Sequence, residues 1–374
     1  MLVLQKKNTV VRGRVGNHTD MLCGWIPSSV RRSVANEACG SVLCLGTVQQ
    51  SKPVTHELHP LTEFTSALIA GPSSPNTAVV YEAIRIKNDV PMFPEHHFRR
   101  LETGVRSLHH SHSEPPSLVT DAARSAMAQV VAQERSAVTT SLNTNVKIMC
   151  WQQDDTNVYV VVSFLIKSTY PPLSWYVDGI TVGLLLNAQR SDPNHKVVHE
   201  ALRERAALAQ SSLGAFEVLL VSPLMISVSA SIDLITVRGV TFPKKSLKVP
   251  EGSRSNYLLV DSSGEVVSSL HSDILVGVTM SVVDECLERR VTYRPLFLED
   301  VLMAQAIAML GTSVGVLPIR RLVLDCQAAP VSYLSTAEGG PLIEFSFDST
   351  ANKTIRLLIQ RYEEAAESGR TGLH

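Results

Sequence analysis

Four short segments carry residues able to do chemistry, in this order along the 374-residue chain: His97-Phe-Arg-Arg-Leu101, Asn194-His-Lys196, Glu251-Gly-Ser-Arg-Ser-Asn256 and Leu310-Gly-Thr-Ser313. Ile274-Leu-Val-Gly-Val-Thr279 stands before a predicted helix. A dianion such as phosphate favours a helix N-terminus, where free backbone N–H groups point outward, supplemented by hydroxyls and one arginine. Gly277-Val278-Thr279 opens one predicted helix, and Gly311-Thr312-Ser313 is read as opening another. Lys196 offers an amine and Glu251 a carboxylate. Taken alone, Lys196 reads as a surface lysine, Glu251 as a turn residue before a glycine, and Arg99 or Arg100 as the solvated side of a helix. The ordered combination is a more specific signal than any one segment.

The elements that must position these residues follow from pattern. Ala78 to Ile86 mixes β-branched and apolar residues with partial alternation and ends at Lys87-Asn-Asp89, a strand running into a turn. Pro94 and Glu95 open an amphipathic helix through Leu101. Leu108 to Ser117, with His109, His110 and His112, reads as a polar loop, and Leu118 to Ala137 as an alanine-rich helix. Val146 to Trp151 and Asn157 to Ile166 form a predicted hairpin. Beyond the extended linker Ser168-Thr-Tyr-Pro-Pro172, strands are expected at Ile180 to Leu186, Phe216 to Val221 and Tyr257 to Val260. Helices are expected at Val197 to Ala209, Thr279 to Glu288, Leu298 to Ala306 and Arg356 to Glu367. Strands and helices mix without strict βαβ alternation, so the class is α+β in two domains. The division is an N-terminal extension over 1–41, a small domain over 42–167, a linker over 168–173, a larger domain over 174–348 and a C-terminal helix and tail over 349–374.

Composition narrows the partners. The net charge of -1 gives no electrostatic ground for nucleic acid or an anionic membrane. Apolar runs such as Ile180 to Leu186 are too short to span a bilayer. The six cysteines show no CxxC spacing, so neither a zinc site nor a disulfide framework is indicated. Lys6, Lys7, Arg12, Arg14, Arg31 and Arg32 face only Asp20 and Glu37 in the first forty residues. Three readings stay open there: a transit peptide for mitochondrion or plastid, an unstructured extension on a cytoplasmic protein, or a wrongly chosen start with Met21 as a later candidate.

Together the motifs resemble the class IV aminotransferases, over roughly Val80 to Leu322. Known activities of that family include branched-chain and D-amino-acid transamination and aminodeoxychorismate lysis. The resemblance implies pyridoxal 5′-phosphate between two domains, with Lys196 at the Schiff-base position and as the proton shuttle. A neighbouring positive cofactor and partial burial would depress the lysine pKa. Glu251 would hold the proton on the ring nitrogen. Val278 and Thr279 amides, the Thr279 and Thr312 hydroxyls and Arg100 would take the phosphate, the His-x-x-Arg-Leu spacing from His97 favouring Arg100 over Arg99. Tyr81 matches a tyrosine that D-amino-acid transaminases carry beside the cofactor, and Ser313 would meet a substrate carboxylate. The implied substrates are an amino acid and a 2-oxo acid, and the implied assembly is a homodimer.

The pattern also breaks. Branched-chain aminotransferases carry a tyrosine five residues after the lysine, where this chain has Ala201. The Arg-x-His clamp of D-amino-acid transaminases is absent from Tyr159-Val-Val-Val-Ser-Phe164. Residues 222–249 form an atypical insertion directly before Glu251, where relatives have a short turn; it is unusually apolar for a surface loop and reads as an oligomer contact or as sequence foreign to the mature protein. A 4-amino-4-deoxychorismate lyase releasing pyruvate and a catalytically impaired relative are the alternatives to a transaminase.

Overall fold

The computed structural model describes residues 26–49, 54–62, 77–108, 116–153, 158–168, 170–224, 233–325, 335–336 and 342–368. The first part of the chain runs α1 (Ser28–Glu37), β1 (Ala38–Gln49), β2 (Thr55–Pro60), β3 (Val80–Lys87), β4 (Val90–Pro91), α2 (Pro94–Leu108), α3 (Pro116–Ala137), β5 (Asn143–Gln152) and β6 (Val158–Ile166). Its strands form an antiparallel sheet in the order β2-β1-β6-β5-β3-β4. The central strand β6 is almost entirely buried and rich in valine, as expected of a strand covered on both sides. Phe98, Leu101 and Val105 of α2 and the small side chains of α3 pack on one face with Ile84, Ile86, Val146 and Ile148. Ile26 together with Val30 and Val34 of α1 packs on the other with Leu43, Met149, Trp151 and Phe164.

This corrects the expected extension over 1–41. Residues 28–37 are a helix and β1 begins at Ala38, because the two valines give α1 an apolar side that the sheet buries. The histidines at 109, 110 and 112 lie outside the described residues.

The second part begins with α4 (Leu173–Asp178), β7 (Ile180–Leu186), α5 (Glu200–Leu213) and β8 (Glu217–Pro223). It continues through β9 (Leu234–Val237), β10 (Val240–Pro243), β11 (Leu247–Lys248), β12 (Asn256–Val260), β13 (Val266–Ser268), α6 (Val278–Cys286), β14 (Thr292–Tyr293), α7 (Leu298–Met303), β15 (Ala306–Gly311), β16 (Gly315–Asp325), β17 (Ser335–Thr336), β18 (Leu342–Ser346) and α8 (Lys353–Ser368). The main sheet has the order β11-β8-β7-β16-β15-β12-β13-β14, with β18 also paired to β16. β7 is parallel to β8 and to β16, while β12, β15 and β16 are antiparallel neighbours. One core lies between this sheet, α7 and the β9–β10 hairpin; another lies under α6 and α8. The fold is α+β in two domains, as the pattern of elements implied. Among the described residues, no helix is long and apolar enough to cross a membrane.

Three expectations are corrected in this part. The helix predicted over Leu298 to Ala306 ends at Met303, because Ala304 is extended and residues 306–311 are drawn into the sheet between β12 and β16. Gly311-Thr312-Ser313 opens no helix. It is the turn between β15 and β16, whose apolar sequences pair from Ile307↔Ile319 to Gly311↔Gly315. The apolar stretch at 222–249 is no surface appendage where it is described: Val240 and Phe242 are fully buried in the main core with Val249, and Leu247 pairs with Pro223.

Candidate active site

Lys196 lies in the turn after β7, just ahead of α5. The preceding residues are fastened by a 2.6 Å contact from His195 Nδ1 to Asp192 Oδ2. The Lys196 carbonyl accepts a 3.0 Å hydrogen bond from the Tyr81 amide, and Val80 bridges Val197. The edge of β3 thereby holds the lysine backbone from the opposite domain. The Lys196 ammonium is disfavoured by burial first and by Arg100 next, with Arg190 adding to the effect. Glu82 and Tyr81 oppose them, and the net result is a pKa lowered to about 8. Such an amine is a usable nucleophile and base near neutral pH.

Arg100 projects from α2 onto Glu82 of β3. Its Nε and one terminal nitrogen meet the two carboxylate oxygens at 2.7 and 2.6 Å, and the other terminal nitrogen donates to the Val276 carbonyl at 3.1 Å. His97, one turn earlier on the same side of α2, places Nδ1 2.7 Å from Glu82. Glu82 is fully buried, which opposes its charge, but Arg100 with Lys196 and His97 holds its pKa well below the carboxylate range. Burial lowers His97 to about 4 against the pull of Glu82, so the ring is neutral and its Nδ1–H donates to the carboxylate.

The loop after Val276 enters α6 through Gly277. The Gly277 amide donates to Asn256 Oδ1 at 2.9 Å, and Asn256 Nδ2 returns a 2.9 Å bond to the Leu275 carbonyl. A Cβ at Gly277 would stand 2.3 Å from that Asn256 oxygen, so glycine is required there by close approach. First-turn amides of a helix have no intrahelical acceptor. In α6 they belong to Val278 and Thr279, and Thr279 shares a side-chain hydrogen bond with Tyr362 of α8. Thr312, in the β15–β16 turn, comes up beside them.

Glu251 occupies the other end. It is 2% exposed, lies 2.8 Å from Arg190 Nε, and accepts from the Leu275 amide at 3.2 Å. Burial drives its pKa up to about 7 despite those two contacts, with Glu217 adding a smaller push. Glu217, the first residue of β8, is the hub of the segment after Glu251. It accepts from the Ser253 and Ser255 hydroxyls at 2.5 and 3.0 Å and from the Arg254 amide at 3.2 Å.

These groups converge on a small cleft lined by Arg100, Arg190, Lys196, Glu251, Val278, Thr279 and Thr312, with Arg254 and Asn256 among the remaining lining residues. Six of the residues singled out from sequence therefore share one cavity, a convergence that their wide spacing along the chain does not announce. Tyr81 is not among its lining residues but stands beside it, its ring centre 5.3 Å from Lys196 Nζ. Ser313 turns away: its hydroxyl accepts from Asn145 Nδ2 at 2.5 Å, and Asn145 in turn accepts from Tyr170. Arg99 faces a second, larger cleft that shares Arg100, Leu275 and Val278 with the first.

Sequence reasoning did not single out Glu82, Arg190 or Glu217. Glu82 carried a signal, since it alternates in phase with the buried Val80, Ile84 and Ile86, and a carboxylate on the buried side of a strand requires a cationic partner.

The profile of the family described as amino-transferase class IV matches residues 79–232 and 240–322, more than half of the chain. The chain belongs to the class IV aminotransferases. The match is interrupted at residues 233–239, within the stretch read as an insertion. No curated protein matches the chain. A hypothetical aminotransferase from Mycobacterium tuberculosis, in its PLP-bound form, is similar with a TM-score of 0.54 at 14% identity, covering 87% of this chain and 100% of that one. A fold IV-transaminase from Curtobacterium pusillum has a TM-score of 0.54 at 19% identity, covering 84% and 99%. The 4-amino-4-deoxychorismate lyase from Pseudomonas aeruginosa has 0.50 at 16%, covering 76% and 90%. At these identities the likeness is one of fold.

The cofactor of this class IV enzyme is pyridoxal 5′-phosphate, and the donor set fits it. One end of the cleft offers free helix amides, two hydroxyls and an arginine to a dianion. The other offers a buried carboxylate to a ring cation, and a lysine with a lowered pKa lies on the same cleft.

Proposed function

We propose that this class IV family member is an aminotransferase that moves an amino group between an amino acid and a 2-oxo acid, with branched-chain or D-amino acids as the substrate class. The observation that carries the reading is one cleft holding an acidified lysine, a buried carboxylate and an anion cradle. When bound, the cofactor supplies an aldehyde that carries the amino group and a ring that accepts electrons from the substrate α-carbon. The chain supplies the rest. Lys196 Nζ, neutral in a substantial fraction near pH 8, would hold the cofactor by its aldehyde and would carry the proton to or from the substrate α-carbon. Glu251 holds a proton on the ring nitrogen, with Arg190 and the Leu275 amide fixing the orientation of its carboxylate. Arg100, the first turn of α6 and Thr312 orient the phosphate and resist its movement. Val276 and Asn256 tie that cradle to α2 and β12, which fixes its donors relative to one another.

Ala201 and the β6 sequence lack the side chains by which two better-known subgroups choose substrates, so the donor is to be found by assay. Purified protein with PLP is expected to show an absorption band that L- or D-amino acids bleach. Lys196→Ala should lack the band, and Glu251→Gln should keep it while bleaching slows by about 10²-fold or more. An unchanged PLP-dependent turnover in Lys196→Ala would overturn the proposal. Pyruvate release from aminodeoxychorismate with no 2-oxo acid present would replace it with the lyase reading. A homodimer is part of the proposal, and a monomer in sedimentation equilibrium would remove it.

A further inference from the structure

Arg99 and Arg100 are neighbours in sequence but face different spaces, because successive residues of a helix are turned by about 100°. Arg100 meets Glu82 together with His97, whereas Arg99 joins His96 and Thr103 in a second stripe along α2, at i, i+3 and i+7. That stripe is one wall of the larger cleft. The other wall is a stripe of the same spacing on α6, formed by Val278, Ser281 and Glu285. Ile274 and Leu275 close the floor, and His271, its ring centre 4.1 Å from that of Tyr293, stands at one side.

The cleft is graded from water towards the phosphate cradle. Arg99, Thr103, His271 and Glu285 are exposed, Ile274 and Leu275 are buried, and Arg100, at the junction with the first cleft, has a side chain 14% exposed. Its charges are uneven too. Glu285 is the one carboxylate among the described lining residues, and it stands 3.9 Å from His96 Nε2 across the cleft, a solvent-open contact that holds weakly. Among the described residues the Arg99 guanidinium has no hydrogen-bond or ion-pair partner: Glu95, whose charge it influences, is held by Arg124 at 2.6 and 3.0 Å. A free arginine at the mouth of a cleft, one residue from the arginine of an anion cradle, sets a potential that draws a dianion inward. Leu275 and Val278 border both clefts as Arg100 does, so the two spaces adjoin.

We propose that the cleft between α2 and α6 is the port through which the cofactor is loaded: Arg99, with His96 and His271 as further donors, takes the phosphate of free pyridoxal 5′-phosphate from solution, and Arg100 receives it into the cradle. The 3.1 Å bond from Arg100 to the Val276 carbonyl spans the two domains at the junction, and a phosphate oxygen is a stronger acceptor for that nitrogen. Arg99 does not line the first cleft, so its part ends once the phosphate is seated. The proposal rests on the cofactor assignment and not on which amino acid the enzyme uses.

The test is the rate at which cofactor-free protein gains the Lys196-dependent absorption band, by stopped flow with the rate first order in added PLP. It is run at about pH 9, above the Lys196 midpoint, so that the amine is ready. Arg99→Gln should slow capture about threefold or more at about 10 mM salt, and the deficit should close at about 1 M, where exposed charges are screened. Glu285→Gln should speed capture at low salt. Thr103→Trp sets an indole in the mouth and should slow capture about tenfold or more at both salt concentrations, by occupying space. Pyridoxal, which lacks the phosphate, should be captured alike by wild type and Arg99→Gln and more slowly by Thr103→Trp. All three positions are exposed; circular dichroism confirms the fold, and the final band should match that of wild type. Wild-type capture rates in any of the three variants overturn the port while the band still upholds the cofactor. A deficit in Arg99→Gln that persists at high salt, or that pyridoxal shares, overturns the part given to Arg99. No band in folded wild type removes the cofactor assignment and the port with it.

Discussion

Lys196 has its midpoint near pH 8 because burial and Arg100 together outweigh Glu82 and Tyr81. For a lysine shifted down from 10.5, the reactive neutral form is present above about pH 8 and is lost as the pH falls below it. The rate at which the protein captures PLP should therefore rise about tenfold per pH unit below 8 and level off above it. Stopped-flow capture between about pH 6 and 9.5 measures this, and an inflection left near 10.5 would mean the cleft does not acidify the amine. Tyr81, down to about 7, and Glu251, up to about 7, titrate in the same range. Opposite shifts of two acids, one lining the cleft and one standing beside it, are expected where environments are arranged for proton transfer.

α2 delivers two side chains to one carboxylate. His97 and Arg100 are three residues apart, so both face β3, and Glu82 sits opposite on the buried phase of that strand. Removing only the arginine would leave Glu82 charged and fully buried. Arg100→Met should thus cost about 3–5 kcal/mol of stability in urea unfolding at pH 7. Adding Glu82→Gln to that variant should return much of the stability while PLP affinity stays low, since a neutral amide needs no cation but the phosphate still does. If the double variant is no more stable than the single one, the pair is not what makes Arg100 structural. The same arginine reaches Val276, so α2 and the start of α6 are set relative to each other by one side chain.

At the scale of the whole molecule, the cleft exists because two sheets meet. β3 of the first sheet bonds to the Lys196 segment of the second, and Asn145 of the first holds the Ser313 turn of the second. The β9–β10 hairpin shows how far the larger core extends: Phe242 is fully buried among residues of β7, β12 and β16. Phe242→Ala should therefore cost about 3–5 kcal/mol by chemical denaturation, the cost of a cavity in a packed core. A change below about 0.5 kcal/mol, the size expected of a surface site, would restore the picture of a dispensable insertion. The apolar composition of 222–249 was in plain view in the sequence. Its meaning was not, because an apolar segment reads alike whether it is a misplaced surface stretch or part of a core whose other walls come from distant strands.

The chemical inventory was legible from sequence alone: Lys196, Glu251, Arg100, Thr279 and Thr312 lie in motifs whose order is independent of folding details, and all five line the cleft. The major strands and helices were legible too, since alternation and helical spacing are local properties. Tertiary structure decided what depends on partners. The stretch 306–311 became a strand because β12 and β16 supply its hydrogen bonds, and residues 28–37 became part of the small domain because a sheet face was there to bury Val30 and Val34. It also decided which charges meet. Glu82 with Arg100, Arg190 with Glu251 and Glu37 with Lys147 are pairs between residues 18, 61 and 110 positions apart. Electrostatic energy depends on separation in space and on the water excluded between charges, and neither quantity is written along the chain.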